Sequence, residues 1–328
     1  MVDAELAGIA ARQGGFFFRR QALACRYTEP EIAARLHTGA WSKVRHGAYA
    51  TREVIAALDD GGRHVLTVRA AVASLTGRVV VTGHSALAVM NVPLWGVDLD
   101  EVHVHREDGK TSRREAGIAH HVGELPESEI VEIDGLLLAR PERIAFDACR
   151  TSDFEAGVVM VDGLRRRGPF DVERAKALIE AHRDHAGSIR ASRVVHFSRA
   201  RAATVGESRA RVLMARIGLP EPQLQHHVTD ASGALIGITD FYFEEFGTVA
   251  EFDGKLKYGR ALYERSGRIE DVDLGDVVWQ EKRREDSIRD QGDEVVRLVW
   301  FELDGHDRQV TERFRRAFRR SRRGLEAG

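Results

Sequence analysis

The sequence predicts a multidomain α/β protein, in which a small helical unit precedes a mixed α/β region and a final mixed sheet flanked by helices. The first residues read as three helices followed by a hairpin. The middle alternates short apolar runs with amphipathic helices and then becomes wholly helical. The last third reads as helix, strands, helix and strand. We therefore expect domains at residues 1–55, 60–150 and 201–328, with a helical connector over residues 151–200.

Composition is that of a globular protein. The chain has 328 residues, of which 43% are hydrophobic and 30% charged, enough for two or three domains with real cores. It has neither an N-terminal signal pattern nor an apolar run long enough to span a membrane, so we expect a cytoplasmic protein. Cys25 and Cys149 lie far apart without a CxxC partner, and we expect both to be buried, reduced thiols.

The opening segment has the element order of a winged helix-turn-helix. A helix over residues 2–13, a strand over 16–18 and a helix over 19–24 precede the capping box Thr28-Glu29-Pro30-Glu31. That box starts a third helix, and a hairpin over residues 41–50 follows. In a DNA complex the third helix would enter the major groove and the hairpin would touch the backbone. The expected DNA-contacting residues are Arg26, Arg35, His37, Lys43, Arg45 and His46. Winged helices also dock proteins, so this alternative stays open.

The middle and the last third predict further elements. We expect strands over residues 102–105 and 117–122, a single strand over 130–138, and helices over 153–200. In the last third we expect strands over 223–229, 234–243, 248–252 and 294–300. The charged segment 281–286 lies on a helix, where a solvated face is the simpler interpretation and a DNA-facing ridge the alternative. A closing arginine-rich helix is interpreted as either a solvated helix or a phosphate-contacting one.

One hairpin concentrates carboxylates. A turn centred on Glu245-Phe246 predicts that Asp240 lies opposite Glu251, and alternation places Glu251, Asp253 and Lys255 on one face. Like charges repel unless a cation lies between them, and Mg²⁺ (or Mn²⁺) prefers carboxylate oxygen. We therefore expect a metal held by Asp240, Glu251 and Asp253, with Lys255 either orienting a hydrolytic water or neutralising charge in the transition state. The alternative is an exposed strand with a Lys–Asp surface pair.

Five separated elements extend this prediction: Gly206-Glu207-Ser208-Arg209, Gly218-Leu219-Pro220, Thr239-Asp240-Phe241, Glu251-Phe252-Asp253-Gly254-Lys255 and Arg297-Leu298-Val299-Trp300. In this order they resemble a bacterial family related to the very-short-patch repair endonucleases, of the PD-(D/E)xK superfamily. The resemblance implies a restriction-endonuclease-like mixed sheet and catalytic roles for Glu207, Asp240 and Lys255. Either Glu251 or Asp253 would be the second metal ligand. Thr239 stands where that superfamily has proline.

The front half has a resemblance of its own. It is carried by Gly15-Phe16-Phe17, Arg20-Gln21-Ala22-Leu23, Gly39-Ala40-Trp41, Arg45-His46-Gly47-Ala48-Tyr49-Ala50, His84-Ser85-Ala86, Pro93-Leu94-Trp95-Gly96 and Arg140-Pro141-Glu142-Arg143. These segments resemble AbiEi-type antitoxins of type IV toxin–antitoxin systems. That family implies operator binding through the winged helix and a cognate toxin as partner.

Together these features predict a DNA-binding protein of a phage-defence or toxin–antitoxin type system. Its last domain would be a magnesium-dependent endonuclease that hydrolyses phosphodiester bonds in double-stranded DNA. The alternative is a non-catalytic, antitoxin-like transcriptional repressor whose nuclease fold only binds DNA or a partner protein. The sequence leaves the oligomeric state and the DNA sequence specificity open.

Overall fold

The computed structural model describes residues 3–107, 111–254 and 274–321. The chain forms two compact units, Met1–Ser198 and Arg199–Gly328, which we call the N-terminal unit and the C-terminal unit. The described residues contain both helices and three sheets, which confirms the predicted mixed α/β class. Among them, no helix has the length and apolar composition needed to cross a bilayer.

The N-terminal unit is rich in helices. Its helices are α1 (Ala4–Arg12), α2 (Arg19–Ala24), α3 (Glu29–His37), α4 (Arg52–Ala56), α5 (Asp60–Val72), α6 (Gly83–Val89), α7 (Pro141–Thr151), α8 (Phe154–Arg167), α9 (Val172–Ala181) and α10 (Ser188–Phe197). Its strands are β1 (Phe16–Phe18), β2 (Trp41–Arg45), β3 (Ala48–Thr51), β4 (Val79–Val81), β5 (Val102–Arg106), β6 (Arg113–Glu115), β7 (Ile118–His121), β8 (Ile130–Ile133) and β9 (Leu136–Ala139). A short 3-10 helix covers Glu127–Glu129.

The first sheet has the order β1-β3-β2 and buries both of its faces. Phe17 and Trp41 pack with residues of α1 to α3 on one side. Phe16 and Phe18 pack with Leu66 of α5 on the other, because successive strand residues point to opposite faces. The predicted capping box is confirmed: the Thr28 N–H donates to the Glu31 carboxylate at 2.8 Å. Since α5 shares this core, the first fifty-odd residues are packed against the region that follows them.

The second sheet has the order β6-β7-β5-β4-β9-β8 and mixes parallel and antiparallel pairs. The single strand expected over residues 130–138 is wrong, because β8 and β9 form a hairpin there. Asp134 and Gly135 at its tip both have positive φ, 50° and 75°, as a two-residue type I′ turn requires. The helices α8 to α10 confirm the expected helical stretch, with breaks after Arg167 and before Ser188.

The two cysteines differ in their surroundings. Cys149 is fully buried on α7, and burial raises the pKa of its thiol to about 12. Cys25 is only half-buried, at the end of α2, so the expectation of two buried thiols is wrong for this residue. Both thiols are free.

The C-terminal unit is built on a four-stranded sheet. Its elements are α11 (Val205–Arg216), β10 (Gln223–Thr229), β11 (Leu235–Phe243), β12 (Thr248–Asp253), α12 (Leu274–Asp290), β13 (Glu294–Val299) and α13 (Asp307–Arg320), with 3-10 turns at Glu244–Phe246 and Trp300–Leu303. The sheet order is β10-β11-β12-β13, with the first two pairs antiparallel and the last parallel. Ile288 of α12 packs on Tyr242 and Val249 from one face. Phe314 of α13 packs on Phe243, with ring centroids 5.6 Å apart.

Candidate active site

Asp240 lies where the strands β11 and β12 stop pairing. The antiparallel pairs run from Phe243↔Thr248 to Phe241↔Ala250, so the next position places Asp240 opposite Glu251, as the sequence predicts. At this position a side-chain hydrogen bond follows the last backbone pair: Asp240 Oδ2 accepts the backbone N–H of Phe252 at 2.8 Å. The Asp240 carboxylate is thereby held against the backbone of β12.

The first turn of α11 brings Glu207 to the same place. A methyl group added at Gly206 would come within 1.9 Å of the Phe252 ring, so α11 approaches β12 at a distance that only glycine permits. Glu207 is 5% exposed. Its carboxylate accepts the Ala203 N–H at 2.8 Å and the Thr204 hydroxyl at 3.0 Å. Thr204 caps the helix, since its own oxygen accepts the Glu207 N–H.

Gln225 joins the two carboxylates. Its amide nitrogen donates to Glu207 Oε2 at 3.1 Å and lies 3.4 Å from Asp240 Oδ1. Gln225 occupies the position on β10 opposite Asp240, between the pairs Leu224↔Phe241 and His226↔Thr239. Its φ of 51° lies in the left-handed region, which few residues other than glycine adopt. The sequence interpretation missed this residue, because the register shift between Val228 and Thr229 decides which residue of β11 lies opposite it.

Burial opposes the ionisation of both carboxylates. Burial is the main cause that raises the pKa of Glu207, and the nearby Asp240 charge raises it further. Burial also raises the pKa of Asp240, against the Phe252 and Gln225 hydrogen bonds and the Arg284 charge, which lower it. Two acids with raised pKa values, Glu207 buried and Asp240 half-buried, share one amide and form a site that a cation would stabilise.

Glu251 already has a cationic partner. The guanidinium of Arg284 on α12 lies 2.6 Å from Glu251 Oε1, and these side chains are 25% and 13% exposed. A second nitrogen of Arg284 reaches the Ile238 carbonyl at 3.4 Å. The expectation that segment 281–286 forms a solvated face is therefore wrong for Arg284, which turns inward to the carboxylate. Arg283 does stay at the surface, 4.6 Å from the ring of the exposed Trp279.

The other expected site residues lie at the end of β12. Asp253 is half-buried and pairs with Val299 of β13. By strand alternation it points to the same side as Glu251. Lys255 lies outside the described residues. Of the five expected catalytic residues, Glu207 and Asp240 are joined through Gln225, while Glu251 is joined to Arg284.

The fit to a divalent cation rests on these acids. Among the described residues, no group of three or more His, Cys, Asp and Glu side chains is arranged to hold a metal ion. Magnesium, however, is commonly held by one or two carboxylates while it keeps several waters. Glu207 and Asp240 supply two carboxylates whose ionisation is opposed by burial, and this pair fits such an ion.

The N-terminal residues expected to contact DNA fall into two groups. Arg26, His37, Lys43 and His46 are exposed. Arg35 is half-buried, with its guanidinium 5.0 Å from the Tyr27 ring centroid and 5.3 Å from that of Trp41. Arg45 donates to the Ser74 hydroxyl at 2.6 Å. The exposed members lie on α3, on the hairpin β2–β3 and at the turn before α3.

Comparison of the chain with models of known protein families gave no match, and a search among curated proteins gave none either. The function is therefore argued from the site itself.

Proposed function

We propose that the C-terminal unit is a magnesium-dependent DNA endonuclease, and that the first fifty-five residues bind duplex DNA as a winged helix. The observation that carries the proposal is the hydrogen-bonded Glu207–Gln225–Asp240 arrangement, whose two acids have raised pKa values. The sheet β10-β11-β12-β13, flanked by helices, suits the restriction-endonuclease-like fold implied by the sequence resemblance.

Each residue has a defined part in this proposal. Glu207 and Asp240 would hold the divalent ion, which when bound activates water and neutralises charge on a phosphodiester. Gln225 fixes the two carboxylates relative to each other. The Phe252 N–H orients Asp240. By the resemblance, either Glu251 or Asp253 would be a further metal ligand, and Lys255 would take the place of the superfamily lysine.

Cleavage of supercoiled plasmid tests this activity. We expect the full-length parent protein to nick the plasmid with Mg²⁺ or Mn²⁺, and Asp240→Asn to abolish nicking. Asp290→Asn is the matched control, because Asp290 is an exposed carboxylate on α12 of the same unit. The proposal fails if pure parent protein shows no metal-dependent cleavage of single- or double-stranded DNA, or if Asp240→Asn cleaves as well as Asp290→Asn.

DNA binding by the N-terminal unit is supported by the element order α1-β1-α2-α3-β2-β3 and by the exposed side chains on α3 and the hairpin. Since α5 packs on the same sheet, point substitutions are a cleaner test than deletion of residues 1–55. We expect Lys43→Gln combined with His46→Gln to weaken duplex binding in EDTA. Lys176→Gln, at an exposed lysine paired with Glu173, is the control.

A non-catalytic repressor is the second candidate, and the Glu251–Arg284 ion pair favours it. A guanidinium at that carboxylate supplies the positive charge that a metal would otherwise bring. In that case Asp240→Asn would repress an operator reporter as well as the parent protein, and plasmid would stay intact. The resemblance to AbiEi-type antitoxins would then imply a cognate toxin as the partner protein.

A further inference from the structure

The final helix of the described chain carries a compact group of arginines. Four exposed side chains occupy two adjacent i,i+4 rows near the end of α13, and we call them the arginine face: Arg315, Arg316, Arg319 and Arg320. At 100° per residue they cover an arc of roughly 140°, and along the axis they span about 8 Å.

The opposite side of the helix holds this face outward. Val310, Phe314 and Ala317 are buried on α13. Phe318 is half-buried and stacks on Phe246, with ring centroids 4.2 Å apart. Rotation of the helix would expose these apolar side chains to water. The direction in which the arginine face points is therefore set by packing.

The acidic residues nearest in sequence are already paired elsewhere. Glu312 pairs with Arg308, and Asp307 pairs with Arg216. Glu302 accepts from Arg313. Within the part of the chain that the structure describes, no ion pair or hydrogen bond is formed by the four side chains of the arginine face. The helix dipole favours cations in the last turn, which accounts for Arg319 and Arg320 but not for the two arginines one turn earlier.

We propose that the arginine face binds the phosphate backbone of duplex DNA. Guanidinium groups match phosphate oxygens in bidentate fashion, and like charges at i,i+4 destabilise a helix unless anions lie between them. No aromatic side chain among the described residues of α13 is fully exposed, so the face lacks the stacking platform typical of single-strand binding. The inference rests on DNA being the substrate of the proposed function, but it does not depend on cleavage.

The salt dependence of binding tests this inference. We would measure the affinity of the full-length protein for a labelled duplex in EDTA over a range of salt concentrations. The variant replaces all four arginines of the face by glutamine, a good helix former. The control removes the same charge by replacing with glutamine four exposed, ion-paired arginines of the N-terminal unit, namely Arg63, Arg113, Arg114 and Arg183.

The expected result is a slope of log K against log salt that falls by about 2 to 4 for the variant, with binding at least about tenfold weaker near 0.1 M salt. The control keeps the parental slope. Replacement of the four arginines by lysine, which keeps the charge, restores the parental slope. This result shows that the glutamine variant loses the slope through lost charge and not through unfolding.

An unchanged slope in the glutamine variant overturns the inference, as does an equal fall in the control. If the glutamine variant loses affinity only for a single-stranded probe, the inference is overturned in favour of single-stranded nucleic acid. If the parent protein binds anionic vesicles but not duplex DNA, it is overturned in favour of a membrane surface. Failure of plasmid cleavage with a normal slope change would count against the nuclease alone.

Discussion

Glu207 and Asp240, on different elements of the C-terminal unit, share the amide group of Gln225, at 3.1 and 3.4 Å. Hydrogen bonds to the two carboxylates favour their charged forms, while burial opposes ionisation and raises the pKa of both acids. Since a raised pKa opposes ionisation, these two acids contribute less to the stability of the apo protein at neutral pH than at acid pH.

The first prediction concerns Asp240→Asn. The carboxamide oxygen can still accept the Phe252 N–H, while the charge is removed. The raised pKa of Asp240 contributes stability below about pH 4 that is lost as the pH rises through the folded value. We therefore expect the variant to match the parent at low pH and to exceed it increasingly towards pH 7, in urea unfolding of the C-terminal unit with EDTA. A difference that is constant with pH would contradict this.

The second prediction adds the metal. Mg²⁺ should raise the unfolding midpoint of the parent protein and of Asp290→Asn, because a ligand that binds only the folded state stabilises it. Mg²⁺ should leave the unfolding midpoint of Asp240→Asn unchanged. The measurement is thermal unfolding with and without Mg²⁺ at constant ionic strength, with Ca²⁺ as a second ion. Equal shifts in all three proteins would show that the ion acts elsewhere.

The third prediction concerns Arg284, whose guanidinium lies at the carboxylate of Glu251, one of the expected metal ligands. Arg284→Gln should lower stability in EDTA, since it leaves the Glu251 charge without this partner. It should also bind Mn²⁺ about tenfold more tightly, a change of ~1.4 kcal/mol. Calorimetry measures the Mn²⁺ affinity of Arg284→Gln and of the control Arg283→Gln, which changes the neighbouring exposed arginine. Equal affinities in the two variants would exclude competition.

The fourth prediction concerns Gly206. Gly206→Ala places a methyl group in the space of the Phe252 ring, so α11 must move and carry Glu207 with it. We expect a loss of about 1–3 kcal/mol in the free energy of unfolding. Gly8→Ala in α1 is the control, because the new methyl meets only the end of the Arg12 side chain, at 3.6 Å. Recovery of stability in the double variant with Phe252→Leu would show that the ring is the cause.

The fifth prediction concerns His103 in the N-terminal unit. Its ring nitrogen lies 2.9 Å from that of His121. Burial and then the His121 and His84 charges lower the pKa of His103 to about 4, against the Glu101 charge, which raises it. A lowered pKa gives stability that is present above pH 6.5 and is lost as the pH falls towards 4. The loss at pH 5 is on the order of 2 kcal/mol.

Denaturant unfolding of the N-terminal unit at pH 7 and pH 5 measures this loss. His103→Gln should make the difference between the two pH values smaller. His46→Gln, at an exposed hairpin histidine, should leave it at the parental value. A pH difference that survives His103→Gln undiminished would assign it to other groups.

Local chemistry determined much of this protein from sequence alone. The capping box at Thr28 predicted where α3 begins, and the turn after Phe243 predicted the register that places Asp240 opposite Glu251. These features depend on residues close together in the chain, where capping, turn geometry and alternation act directly. Asp134-Gly135 is likewise a local turn sequence, and it forms the hairpin tip where the apolar alternation over residues 130–138 predicts one continuous strand.

Only the tertiary structure decided what surrounds the acids. Gln225 reaches Asp240 through strand pairing, and the packing of Gly206 on Phe252 brings Glu207 to the same place. Arg284 reaches Glu251 from a helix about thirty residues further along the chain. The periodicity of α12 could not show that Arg284 turns inward, because the partner of a charged side chain depends on long-range packing. The pKa values of Glu207 and Asp240 have the same origin, since burial of a carboxylate is set by the elements that fold over it.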